Sequence, residues 1–224
     1  KIEERSTSKK LPINQKQRQP LDLAGFKAIH EKAPAWLQLA MEQSLVTLQG
    51  RSEICNMKHV DYHDGHLFVI RAKVSGDTDM AFIKIKITDQ LDELRRRSLT
   101  LDGTVSPYLI HRAPERRRRQ WTEGKPHWTY INPDYLSKAF AEARDQVERF
   151  ASMPERERPS FHEVRGLGAR TYRALGMSEE AIQALMTHAH KRTTEIYLDR
   201  GAAALTDDDY NPVVAPLVLK EVLK

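Results

Sequence analysis

Two histidines, an arginine and a tyrosine between Phe161 and Gly201 are spaced as a phosphate-handling site would want them. His162 and Arg165 stand three residues apart in His162-Glu163-Val164-Arg165. That is about one helical turn, so both side chains can face one anion. Met186-Thr187-His188 follows, and Tyr197 lies nine residues after His188. A guanidinium meets a phosphate bidentately, and imidazoles can donate or shuttle a proton. A tyrosine hydroxyl, with an ordinary pKa of about 10, is a weak nucleophile. It attacks phosphorus usefully only where fixed cations stabilise charge on the non-bridging oxygens. His188-Ala189-His190 also has the look of a metal pair, but a metal site needs at least a third ligand, and no cysteine lies near in sequence.

The order of these motifs resembles the catalytic half of the tyrosine recombinases, the phage-integrase family, whose signature reads HxxR and then GHxxxxxxxxY. Thr187 stands where the family has glycine, and Asp199-Arg200-Gly201 follows the tyrosine. The resemblance implies that Tyr197 attacks the scissile phosphate, giving a 3′-phosphotyrosyl link and a free 5′-hydroxyl. It assigns Arg165 to the phosphate, His162 to proton transfer and hydrogen bonding, and His188 to a phosphate oxygen. Lys73, at the end of a strand-like run, matches the general-acid lysine. No metal or other cofactor is implied. Tyr172 and Tyr210 do not lie nine residues after a histidine.

The first arginine departs from the pattern. The family motif reads T-G-x-R-x-x-E-L, and this chain reads Thr47-Leu48-Gln49-Gly50-Arg51-Ser52-Glu53-Ile54. Aligning Thr47, Glu53, Ile54 and Cys55 puts Gly50 at the arginine position and Arg51 one place later. One residue on a helix is a rotation of about 100°. Either Arg51 reaches in from a distorted helix start, or the site has lost a cation.

The elements that must position these groups are legible in outline. Asp22 is placed to cap a helix with Phe26 and Ile29 on its apolar side, and Pro34 opens a second with Trp36, Leu37, Leu39, Met41 and Leu45. A third helix is expected over Ser52–Lys58. Asp64-Gly65 leads into Leu67–Ile70, and Met80–Ile85 answers it as an antiparallel partner. Further helices are expected over Ile87–Arg97, after Asn132-Pro133, after Phe161 and over Ser178–Leu185, with a short buried strand at Tyr108–Ile110. The fold class expected is α+β, mainly α, with a small antiparallel sheet, as in a tyrosine-recombinase catalytic domain. Residues 1–20 read as a linker or arm, 21–201 as the DNA breaking-rejoining domain, and 202–224 as a tail that docks on its own chain or on a neighbouring protomer.

The chain carries 36 Lys and Arg against 31 Asp and Glu, a net charge of +5 and a pI near 9.3. The surplus is modest, so its distribution matters. Arg116, Arg117, Arg118, Arg119, Lys191 and Arg192 cluster as a polyanion-binding surface would require, although charge runs are also ordinary solvated faces. The single cysteine, Cys55, forms no internal disulfide and sits in an apolar pattern, as a buried small hydrophobe would. No run approaches the roughly 20 apolar residues of a membrane span. The expectation is a cytoplasmic protein, nucleoid-associated in a bacterial host.

Together these readings point to a site-specific DNA recombinase acting on double-stranded attachment sites. The resemblance implies a homotetramer on DNA, a monomer when free, and DNA-bending accessory proteins. A type IB topoisomerase-like nicking-closing enzyme would use similar residues. A DNA-binding protein with decayed catalysis would also fit Gly50.

Overall fold

The structure is a computed structural model that describes residues 18–72, 80–114, 124–186 and 211–223. Its helices are α1 (Leu23–Lys32), α2 (Ala35–Thr47), α3 (Arg51–Asn56), α4 (Asp89–Leu99), α5 (Pro133–Arg144), α6 (Glu148–Ala151), α7 (His162–Ala174), α8 (Glu179–Met186) and α9 (Leu219–Val222). Its strands are β1 (Tyr62–His63), β2 (His66–Ala72), β3 (Met80–Lys86) and β4 (Asn211–Val214), in sheet order β1-β2-β3-β4. The mainly helical α+β architecture is the one expected. The sheet is mixed: β1, β2 and β3 are antiparallel, and β4 runs parallel to β3. No described helix is long and apolar enough to cross a membrane.

Local chemistry explains most element boundaries. The Asp22 carboxylate accepts from the Gly25 N–H at 2.8 Å and starts α1, and Asn132 caps α5 through the Asp134 N–H at 2.8 Å. Asp64 and Gly65 both take positive φ, at 47° and 74°, which suits the two-residue turn joining β1 to β2. Alternation then puts Leu67 and Val69 opposite Ile85 and Ile83 on the core face. The expected strand at Tyr108–Ile110 is instead a buried segment with one bridge, Tyr108 to Lys58.

Helix α2 lies at the centre, and from Trp36 to Thr47 every residue but Gln38 is buried. Its apolar residues fill the core, so its polar ones must find partners inside. Glu42 accepts from His30 of α1 at 2.7 Å and forms a short ion pair with Arg97 of α4, tying three helices together. Burial alone would raise the Glu42 carboxyl. Hydrogen bonds from His30 and Arg97, with their charges, outweigh it and hold the group below its ordinary value.

Where α2 meets α7 the backbones nearly touch. A Cβ built on Gly168 would come within 2.4 Å of the Leu45 carbonyl oxygen and 2.5 Å of Leu48 Cδ2. One turn along α7, the buried Tyr172 hydroxyl donates to the Val46 carbonyl at 2.7 Å and accepts from the Leu217 N–H at 3.3 Å. The tail is seated there within its own chain: Ala215, Leu217 and Leu219 are buried, and the Leu219 N–H donates to Gln90 Oε1 at 3.0 Å.

Gly168→Ala should therefore destabilise the fold by about 3 kcal/mol, because backbone rather than a mobile side chain must yield. Tyr172→Phe should cost about 1–3 kcal/mol by leaving two buried backbone groups short of a partner. Urea midpoints at constant m-value would check both. A second test concerns Glu42. A carboxyl with a lowered folded pKa contributes stability that is complete above its unfolded value of about 4.5 and is lost as pH falls through the folded value. Denaturant titrations below about pH 5 should therefore show a steep loss in the parent and a flatter one in Glu42→Gln, which starts from lower stability.

Candidate functional site

The site is assembled where α2 hands the chain to α3. After Thr47 the backbone reverses through Leu48, at φ 56° and ψ 24°, the position that the sequence motif gives to glycine. A left-handed leucine costs about 1–2 kcal/mol. Burying its side chain completely returns about 1.5–3 kcal/mol, so the turn is held by packing. The reversal buries Gln49, whose Nε2 donates to the Thr47 carbonyl at 2.9 Å and to the Leu185 carbonyl at 2.8 Å.

Leu185 and Met186 are the last two residues of α8, and the carbonyls of both accept from side chains. Gln49 takes the first. Arg165, 7% exposed on α7, takes the second through Nη2 at 2.5 Å. The α2–α3 junction, α7 and the exit of α8 are thus pinned together by two side chains.

His162 is the first residue of α7 and is exposed, one turn before Arg165, as the HxxR spacing required. It lines a cleft of about 710 Å³ together with Arg51, Lys138 and Arg144. Arg51 and His162 therefore share one opening.

Arg51 does not reach in from a distorted helix. Gly50 is the N-cap of α3 at φ −81° and ψ 175°, and its carbonyl accepts from the Ile54 N–H at 3.0 Å, so the helix starts regularly. The Arg51 guanidinium is held by α5 instead, donating to Ser137 Oγ at 2.9 Å and pairing with Asp134 at 2.8 Å. At position 50 a Cβ would meet Glu53 Oε2 at 2.9 Å, so the buried Glu53 carboxylate borders the place where the motif has its arginine. Cys55 is fully buried, and burial pushes its thiol up to about 12, which leaves it inert as a nucleophile.

Lys73, His188, Tyr197, Arg116–Arg119, Lys191 and Arg192 lie outside the described residues. Of the expected site, the structure brings Arg165 to the end of α8 and sets His162 and Arg51 on one cleft. Sequence reasoning missed Gln49, Asp134 and Ser137. Gln49 lay inside the quoted motif at its unassigned position. Nothing in the sequence pairs Arg51 with residues 83 and 86 positions away.

The profile of the phage integrase family matches residues 22–203. The integrase of Enterobacteria phage P21 is 27% identical over 199 residues, covering 85% of this chain and 48% of that protein. The integrase of Escherichia phage HK022 is 29% identical over 170 residues, covering 75% of this chain and 43% of that one. The chain thus spans about half the length of these curated relatives. Among solved structures, the lambda integrase catalytic core superposes with a TM-score of 0.56 at 26% identity, over 76% of this chain and 96% of that one. A match over most of its length, on the same fold, decides the classification: the chain belongs to the phage integrase family.

Proposed function

We propose that this chain is the catalytic part of a site-specific DNA recombinase that cuts and rejoins strands through a tyrosyl-phosphate link. The observation that carries the reading is the clamp in which Gln49 and Arg165 hold the end of α8. It ties the HxxR helix to the end of α8, two residues before His188 in the sequence.

In this reading Tyr197 attacks phosphorus as its hydroxyl proton leaves, and the bond to the 5′-oxygen breaks. Lys73 protonates that oxygen. Arg165 and His188 hold the non-bridging oxygens, and His162 assists proton movement. A 5′-hydroxyl from the partner strand then attacks the phosphotyrosyl link, so no water or external energy source enters the balance. Two duplexes offer four strands to cut, and one tyrosine per chain calls for four copies on DNA. The free protein is proposed to be a monomer, acting in a bacterial cytoplasm at the nucleoid with DNA-bending accessory proteins. The tail, seated on its own β3 in the single chain, is proposed to dock on a neighbouring protomer in the assembly. Arg116–Arg119, Lys191 and Arg192 are proposed to contact phosphates.

Covalent trapping on a nicked duplex tests the chemistry. Tyr197→Phe should abolish the adduct and leave binding nearly intact; an adduct formed by that variant would reject the assignment. Binding should weaken steeply with salt, each phosphate contact contributing a slope of about −0.9 in log K against log salt concentration.

The Gly50 position makes a further test of activity. Its φ of −81° suits any side chain, and only the movable end of Glu53 stands in the way. Gly50→Arg should raise the cleavage rate, by about 10²-fold if one good donor is regained. Equal rates in parent and variant would mean that another group already supplies the charge.

A further inference from the structure

On the recombinase reading above, we infer that Asp134 and Ser137 are positioning residues for Arg51. They park its guanidinium at the start of α5 and release it to a phosphate when a DNA strand enters the cleft. The parking contact is specific, because a carboxylate and a hydroxyl meet the same Nη1, at 2.8 Å and 2.9 Å. It is also easily exchanged. The Arg51 side chain is 46% exposed and that of Asp134 is 84% exposed, and an ion pair so open to water contributes little.

The arginine is already in reach of the chemistry, since it lines the same cleft as His162. Arg165, by contrast, is buried, with Nη2 donating to the Met186 carbonyl. Position 50 offers no side chain at all. At the start of α3 the exposed cation is therefore Arg51, beside Lys138 of α5 in the same cleft, and an incoming phosphate competes with Asp134 for it. A phosphodiester offers two non-bridging oxygens to the guanidinium fork, where Asp134 and Ser137 present one atom each to a single nitrogen. Asp134 sits in the first turn of α5, after the Asn132 cap. Removing its charge leaves that cap in place.

The test is a double-mutant cycle in the whole chain, using Arg51→Ala, Asp134→Asn and their combination. Two readouts are needed: adduct formation on a nicked duplex, and duplex binding across a salt series. Asp134→Asn should speed cleavage several-fold in the parent and should not do so when Arg51 is alanine. Ser137→Ala should act in the same direction, more weakly. Arg51→Ala should reduce the salt slope by about 0.9, the loss of one phosphate contact.

An equal gain from Asp134→Asn with and without Arg51 would mean simple relief of repulsion and would overturn the proposal. So would an unchanged salt slope in Arg51→Ala, or slower cleavage in Asp134→Asn. If no variant forms an adduct, Gly50→Arg included, the recombinase reading fails, and the salt slope alone still decides whether Arg51 meets a phosphate. A urea midpoint for each variant separates these effects from misfolding.

Discussion

The contact of Gly168 with the Leu45 carbonyl sets the distance between α2 and α7, and the candidate site depends on that distance. Helices normally pack 8–10 Å apart because side chains stand between them. Here a missing Cβ lets backbone meet backbone. The consequence runs in both directions along α7. Toward its N-terminus, Arg165 is brought to the end of α8. Toward its C-terminus, the Tyr172 hydroxyl reaches the Val46 carbonyl and the tail. One close approach therefore registers Arg165 and the C-terminal segment against the same helix.

The second constraint is that α2 is buried on nearly all sides while carrying Glu42, Gln43, Ser44 and Thr47. Each of these must be satisfied inside the protein, where an unpaired polar group is costly. Glu42 is held by His30 and Arg97. Thr47 bonds back to the Gln43 carbonyl, and Ser44 donates to the Gln49 carbonyl. The last of these fixes the reversal after Leu48. Polar satisfaction of the central helix and placement of the α3 start are one network.

That network explains how the chain accommodates Gly50. The helix start needs only its backbone, so a glycine there leaves α3 intact. Glu53 closes against the vacant side-chain position, and Arg51, rotated by one residue, finds its partners on α5. On the proposed alignment of Gly50 with the motif's arginine, the difference is one of electrostatics and not of architecture. In a phosphate site that difference falls on the transition state, where fixed positive charge counts most.

Sequence alone determined the helices with strong apolar periodicity, the Asp22 cap, the helix start at Asn132-Pro133, the Asp64-Gly65 turn and the order of the HxxR and histidine–tyrosine motifs. These are local: each follows from residues within a few positions of one another. It also located the departure at Gly50 and the one-residue offset of Arg51, since a helical rotation can be counted. Only the tertiary structure decided which way Arg51 turns, because its partners Asp134 and Ser137 lie far along the chain and are ordinary surface residues in any local reading. Only it placed Gln49 and Arg165 on consecutive carbonyls at the end of α8, since which carbonyl meets which donor depends on helix packing. The parallel pairing of β4 with β3 was likewise beyond the sequence: a four-residue strand carries no partner in its own pattern, and its place is chosen by the surface left open beside it.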